Sequence, residues 1–356
     1  MATHDIAIIP GDGIGPEVTA EAFKVLDAAA EVFGFKLNKT AYPFSSQHFL
    51  DTGEIWPDAA FEEVKGMGAI YLGAIGDPRI EVGKMEFGII ARARIDLDLY
   101  LNIRPIKLYD ERLCPLKGKG PADVDMVIVR ENTEGAYTGM HGFAHKGQDL
   151  EVATQTMVWT RAGVERAVRH AFELARSRGG RKHVTLIDKA NALRAQDLWM
   201  RVFALVAAEY PDISTGHDYI DAACMRMVDT PEDYDVAVTS NLFGDIITDL
   251  GAMIQGGLGI AASANIHPGQ VSLFEPVHGS FPEAAGKNTA SPIAAILAGS
   301  MMLDFLGEQE ASNAIETTVI DLFTSSRLKG VRAADHPTNE VGELVVAEVR
   351  RLGTPA

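Results

Sequence analysis

The chain has 356 residues, 47% of them hydrophobic, and a formal charge of −17 from 32 basic and 49 acidic side chains. That length supports one large domain or two ordinary ones with a substantial core. The acidic balance argues against nucleic acid and anionic membranes as main partners, so an anionic substrate would need a local basic pocket. No run approaches 18 uninterrupted apolar residues, which excludes a helical membrane span. The two cysteines, Cys114 and Cys224, make no disulfide framework, and the first residues lack a basic, then apolar, export signal. A reducing cytoplasm is the expected compartment.

In chain order, a short apolar run at 6–9 (IAII) enters a glycine-rich turn, IIPGDGIGPEV at 8–18, followed by a helical pattern over 16–33. A dinucleotide cradle of the Rossmann type needs G-x-G-x-x-G and an acid about 20 residues on. Here the third glycine, Gly15, comes one residue early, Pro16 follows it, and the next strand-like stretch, FKLNKTAYP, ends without an acid. The stretch therefore reads as a tight strand-to-helix turn, with proline welcome in the first helical turn. Further buried strands are expected at 69–75 (AIYLGAI), 125–130 (DMVIVR), 183–188 (HVTLID) and 235–240 (DVAVTS), with a second helix over 162–178. Strands alternating with helices indicate an α/β protein with a largely parallel sheet. Residues 138–160 begin with turn formers and end in a β-rich run, the pattern of an extended hairpin or arm.

Four groups of residues carry chemistry. Arg92, Arg94 and Arg104 lie close together in RARIDLDLYLNIRPIK, and Arg130 ends a strand. Guanidinium groups bind carboxylates bidentately and stay charged when buried, so in so acidic a protein they point to a dicarboxylate pocket, against the commoner fate of solvated arginine. Asp245 and Asp249 are four apart in SNLFGDIITDLGAMI, which puts both carboxylates on one helix face. With Asp221 as a third donor they suit Mg²⁺ or Mn²⁺ better than Zn²⁺. Lys189 follows a buried strand in LIDKANAL and can serve as a base, with Tyr137 as an acid partner. The loop LFEPVHGSFPEAAGKN at 273–288, with His278, has the composition of a functional loop.

Together the stretches LNIRP, VREN-EG-Y, DKAN, SNLFGDI-TDL and FEPVHGS-P--AGK resemble, in order and over nearly the whole chain, the β-decarboxylating dehydrogenases. These include 3-isopropylmalate, isocitrate, homoisocitrate and tartrate/D-malate dehydrogenases. The resemblance implies an isopropylmalate-dehydrogenase-like two-domain α/β fold with a shared mixed sheet, not a Rossmann fold. The domains would be 1–98 plus 256–356 on the cofactor side, and 99–255 for dimerisation, metal and substrate, with the arm at 138–160. It implies a homodimer whose active site is shared, Lys189 and Asp221 reaching the neighbouring subunit.

By the same resemblance Arg94, Arg104 and Arg130 bind the substrate carboxylates, Tyr137 and Lys189 are the general acid and the catalytic lysine, and Asp221, Asp245 and Asp249 hold the divalent metal. Asp221 also assists Lys189. His278, Gly279, Ser280 and Glu283 bind the nucleotide, together with Asn191 and with Ser291, which stands where an asparagine is usual. An acid at Glu283 favours NAD over NADP, and K⁺ is a further cofactor to test. Ile89 and Ile90 face the substrate, although the GII of KMEFGIIARAR sits one residue further from Arg94 than the family's GLL pattern. The expected reaction is NAD-dependent oxidative decarboxylation of a (2R)-malate-type 2-hydroxy dicarboxylate of the D-malate/tartrate kind. The alternatives are 3-isopropylmalate, then an isocitrate or homoisocitrate type, and from other classes a non-catalytic subunit or a metal-dependent hydrolase.

Overall fold

The structure, a computed structural model, describes residues 2–352. Its strands are β1 (Thr3–Gly11), β2 (Lys36–Ala41), β3 (Ala69–Ala74), β4 (Leu101–Lys107), β5 (Asp125–Glu131), β6 (His141–Ala144), β7 (Val152–Gln155), β8 (His183–Asp188), β9 (Ser214–Tyr219), β10 (Val236–Thr239), β11 (Ala262–Ile266) and β12 (Ser272–Pro276). The chain forms two compact units, Met1–Leu99 with Lys107–Pro121 and Ala252–Ala356, and Tyr100–Ile106 with Ala122–Gly251. The first unit therefore takes 107–121, which the sequence reading placed with the middle of the chain. Its ties explain this: Lys107 Nζ and Tyr109 Oη donate to Glu316 at 2.9 and 3.0 Å, and the Lys107 N–H donates to Gln255 Oε1 at 2.9 Å.

In the first unit the strand order is β2-β1-β3-β12-β11, parallel except for the antiparallel pair β11 and β12. Its opening turn shows why three glycines alternate. Gly11 and Gly13 have φ of 72° and 58°, in the left-handed region. A Cβ at Gly11 would stand 1.9 Å from the Ala74 carbonyl oxygen, and one at Gly13 1.9 Å from that of Ser280. Between them the buried Asp12 carboxylate accepts from Ser46 N–H (2.7 Å), Ser46 Oγ (2.6 Å) and Gly76 N–H (2.9 Å), tying three loops together. The helix Gly15–Phe33 then starts with Pro16 in its first turn and ends at a left-handed Gly34.

Further along, Met85, Ile89, Ala93 and Leu97 enter one apolar cluster with Trp56, Phe61, Leu72 and Leu273. The spacing of this buried stripe is four. In a regular α-helix each step of four overshoots by roughly 40°, about 120° by Leu97, which would carry the stripe off the core. A π-helical turn at Phe87–Ala91, with the Arg92 N–H bonded to the Phe87 carbonyl, supplies a wider turn and keeps the stripe inward.

In the second unit the order is β4-β5-β10-β8-β9, and the β5–β10, β10–β8 and β8–β9 pairs are parallel. The helices Arg161–Ser177 and Asp197–Ala207 bury Val164, Val168, Phe172, Trp199 and Phe203, with the Phe172 and Phe203 rings 5.4 Å apart. The 138–160 segment is a two-stranded hairpin of β6 and β7, antiparallel with His141 opposite Gln155. It exposes Met140, Phe143, Leu150 and Val152. Among the described residues no helix is long and apolar enough to cross a membrane. The α/β architecture with mixed strand pairing agrees with the expected fold class.

Candidate active site

A group of polar side chains joins β4 and β5 to the helix Asn241–Ile254 in the second unit. Arg130, 1% exposed, stands near the end of β5. Its Nε donates to Asn241 Oδ1 at 2.9 Å and its Nη1 to Asp245 Oδ1 at 2.7 Å. Gly244 makes this burial feasible, since an added Cβ would lie 2.5, 2.6 and 2.9 Å from Arg130 Cγ, Cβ and Cδ. Tyr137, just before the hairpin, donates its hydroxyl to Asp245 Oδ2 at 3.2 Å, with the Arg130 guanidinium 5.8 Å from its ring centre. Arg104 on β4, also buried, donates to Thr248 Oγ1 at 2.6 Å and stands 3.8 Å from Asp249 Oδ1. Helical spacing puts Asn241, Asp245, Thr248 and Asp249 on one face.

The two aspartates of this face are held in opposite directions. Burial works to raise the Asp245 carboxyl, but Arg130 and Arg104 outweigh it, and with the Tyr137 hydrogen bond they keep it below its ordinary value. The Asp249 carboxyl is raised, by burial first; Arg104 opposes this and the charge of Asp245 adds to it. Two like charges on adjacent helical turns, aimed by arginines and rich in oxygen, are a donor pair for a hard divalent cation.

The third expected donor is elsewhere. Asp221, in the first turn of the helix Ile220–Asp229, accepts from Lys189 Nζ at 2.5 Å, and this hydrogen bond lowers its pKa. Lys189 leaves the C-terminal end of β8, its backbone N–H held by Gln196 Oε1 at 2.6 Å. The second unit thus carries two groupings, and among the described residues no three metal-ligating side chains converge within one chain. Asn191, expected at the nucleotide, is exposed in the turn after Lys189.

The first unit holds the remaining expected residues. Arg94 donates through Nε to Asn265 Oδ1 at 3.0 Å and through Nη2 to Glu275 Oε1 at 3.3 Å, a carboxylate that also receives Asn265 Nδ2. Ile89 has no exposed surface and packs inside the core, so its expected place against substrate is corrected; Ile90 is half-buried against the same cluster. The period-four stripe turns Ile89 inward, as described for the π turn.

In the loop after β12, burial lowers the His278 imidazole, whose Nε2 is buried without a hydrogen-bond partner among the described residues. Gly279 has open space where a Cβ would stand. The Ser280 carbonyl accepts the Ile14 N–H at 2.8 Å, which joins this loop to the opening glycine turn. Glu283 is exposed in the turn Pro282–Ala284. An unpaired ring nitrogen, an open glycine and an exposed acid suit the adenosine end of a nucleotide. The Ser291 hydroxyl, by contrast, is committed to the Gly259 carbonyl at 3.1 Å and to the Ile293 N–H at 3.4 Å.

Asn241, Thr248, Asn265, Glu275 and Glu131 were not singled out in the sequence, yet they hold the arginines and loops in place. For Asn241 and Thr248 the signal was present, as polar residues at helical spacing around Asp245. The Glu131 carboxylate, raised by burial, accepts from Thr133 N–H, Thr133 Oγ1 and Glu134 N–H and so shapes the loop before Tyr137.

Comparison with known proteins gives the family of the chain. The isocitrate/isopropylmalate dehydrogenase family matches residues 5–345. A 3-isopropylmalate dehydrogenase from Thermobifida fusca (strain YX) is 47% identical over 355 residues, 99% of each chain. One from Frankia casuarinae is 45% identical over 345 residues, 96% of this chain and 98% of that one. Among solved structures, isocitrate dehydrogenase from Methylococcus capsulatus superposes with a TM-score of 0.86 at 36% identity, covering 98% of this chain and 99% of that one. The curated relatives thus bear the substrate name that the sequence reading held second, and none of these three names is a malate or tartrate enzyme.

Proposed function

Because the chain belongs to the isocitrate/isopropylmalate dehydrogenase family and is a β-decarboxylating dehydrogenase acting on a CH–OH group, we propose that it catalyses the NAD-dependent oxidative decarboxylation of 3-isopropylmalate. The observation that carries this substrate is 47% and 45% identity, over nearly the whole chain, to enzymes of that name. The malate-type reading rested on local resemblances in GVERAVRHAFELAR, SANI-P and SLFEPVHGS and gives way to it.

The residues take roles that their placement supports. Arg94, Arg104 and Arg130 bind the two substrate carboxylates through charge-assisted hydrogen bonds. Lys189, aimed by Asp221, accepts the proton of the C2 hydroxyl as hydride leaves C2. Tyr137, held at Asp245, returns a proton to C3 after the β-carboxylate departs as CO₂. Asp245 and Asp249, with Asp221 of a second copy of the chain, would hold Mg²⁺ or Mn²⁺. A divalent cation bound there supplies Lewis-acid polarisation of the C2 oxygen and steadies developing negative charge. His278 and Gly279 seat the adenosine, and Glu283 accepts from ribose hydroxyls and repels a 2′-phosphate. The separation of the Lys189–Asp221 pair from Asp245 within one chain supports a homodimer with a shared site. The exposed apolar hairpin of β6 and β7 is suited to the second copy.

The test is NADH formation with 3-isopropylmalate, D-malate, tartrate, isocitrate and homoisocitrate, each with Mg²⁺ or Mn²⁺ and with or without K⁺. Turnover with 3-isopropylmalate at least tenfold above the others in kcat/KM is the expected result. Preference for D-malate would restore the malate-type reading, and no turnover with any substrate would favour a non-catalytic subunit.

A further inference from the structure

Lys189 and Asp221 leave the C-terminal ends of neighbouring parallel strands, β8 and β9, one and two residues beyond them. Their contact at 2.5 Å therefore depends on the register of β9 against β8. A slip of one residue would move Asp221 by about 3.3 Å along the strand and break it. Register is normally fixed by a buried apolar face. β9 has none: its sequence is STGHDY, it ends the strand order, and no residue in it is fully buried. Something other than the hydrophobic effect must hold its far end.

Side chains do so at three points. At the start, His183 Nδ1 lies 2.8 Å from Ser214 Oγ. The alternate side chain Asp218 receives Tyr234 Oη at 2.8 Å and Arg226 Nη1 at 3.0 Å. At the end nearest Lys189, His217 Nε2 lies 3.1 Å from Oδ1 of Asp188, a carboxylate 1% exposed. That oxygen also accepts the Ala190 N–H at 3.1 Å, while Oδ2 is buried with no hydrogen-bond partner among the described residues. A buried carboxylate so sparsely satisfied interacts strongly with the one ring that reaches it. The His217 ring meets the Tyr219 ring edge-on at 5.1 Å, and the Tyr219 ring centre lies 5.9 Å from Lys189 Nζ. Asp188, His217 and Tyr219 thus form a row that leads from the strand interior toward Lys189 Nζ.

We infer that His217 is a positioning residue: its contact with Asp188 locks the edge strand β9 in the register that brings Asp221 to Lys189, and through Tyr219 it sets the wall against which Lys189 rests. Its consequence for turnover rests on the roles assigned to Lys189 and Asp221 above; its consequence for strand register does not.

The test compares His217→Ala with His217→Gln, whose amide nitrogen reaches about as far as the imidazole Nε2. His217→Ala is expected to lower kcat by about tenfold or more while KM for 3-isopropylmalate stays within about twofold, the pattern of a displaced reacting group. In hydrogen exchange the amides of 214–221 should lose protection while those of β5 and β10 keep theirs. His217→Gln should restore both within about threefold. His217→Ala with unchanged kcat and unchanged exchange at 214–221 would overturn the inference, as would equal impairment of the two variants. If the wild-type protein turns over no substrate, the functional proposal fails, and the exchange measurement alone decides the role of His217.

Discussion

Gly244→Ala tests whether the helix Asn241–Ile254 is shaped around a buried arginine. Elsewhere in a helix this change stabilises, by roughly 0.5–1 kcal/mol, because alanine loses less backbone freedom on folding. Here the new methyl would fall within 3 Å of three Arg130 carbons. Of these, Cβ is fixed by the β5 backbone, 2.6 Å from the new methyl, so rotating the side chain gives no full relief. If the arginine stays, overpacking costs about 1–3 kcal/mol. If it swings away it leaves Asp245 and Asn241, and an unpaired buried charge costs roughly 3–5 kcal/mol. The structure therefore forecasts a net loss of about 1–2 kcal/mol or more, against the helix-propensity trend. A shift of Arg130 by about an ångström should also lower kcat/KM by ten- to a hundredfold. Urea unfolding at fixed protein concentration and steady-state kinetics measure the two effects. A variant as stable as the wild type with unchanged kcat/KM would refute the packing argument.

Three other outcomes follow from the same geometry. Asp249 is a carboxyl whose folded-state pKa is raised, so ionising it opposes folding once the pH rises above its ordinary range of about 4. Asp249→Asn should leave Tm at pH 7 without added metal equal to or above wild type and abolish the rise in Tm caused by Mn²⁺; a retained Mn²⁺ shift would remove Asp249 from the ligand set. Tyr137→Phe deletes the hydroxyl at Asp245 and should lower overall turnover by roughly a hundredfold, as for a lost general acid, while a rapid-mixing burst of NADH survives; loss of the burst would assign Tyr137 to an earlier step. Gly13→Ala puts a methyl into the Ser280 carbonyl at a left-handed φ, so KM for NAD should rise at least about fivefold through the displaced 278–281 loop; an unchanged KM with lowered Tm would confine that turn to folding.

Much of this was legible in the residues because the signals are local. Apolar runs bounded by turns marked β1, β3, β5, β8 and β10, and the four-residue spacing of Asp245 and Asp249 placed them on one face. The hairpin at 138–160 announced itself by composition. What was hidden depends on distant partners. The bonds that tie 107–121 to the first unit run to Glu316 and Gln255, more than a hundred residues away. β9 gives no strand signal because STGHDY neither alternates nor carries an apolar face. Ile89 read as a substrate contact by likeness to the family's GLL pattern, and only the wider turn shows which way it points. The choice of 3-isopropylmalate over malate came from neither spacing nor charge, but from the likeness of the whole chain to other enzymes.

The π turn at Phe87–Ala91 has a consequence for how this chain tolerates changes of length. A regular helix that loses one residue rotates everything on one side of the cut by about 100°, carrying either Arg94 or the core stripe to the wrong face. A π turn already holds a surplus residue, so deleting Gly88 would close it to an ordinary turn with both flanks still in phase. Between Met85 and Arg94 the protein therefore carries a slack loop of helix, where one residue can be lost without moving the guanidinium. Deletions on either side of that turn have no such reserve.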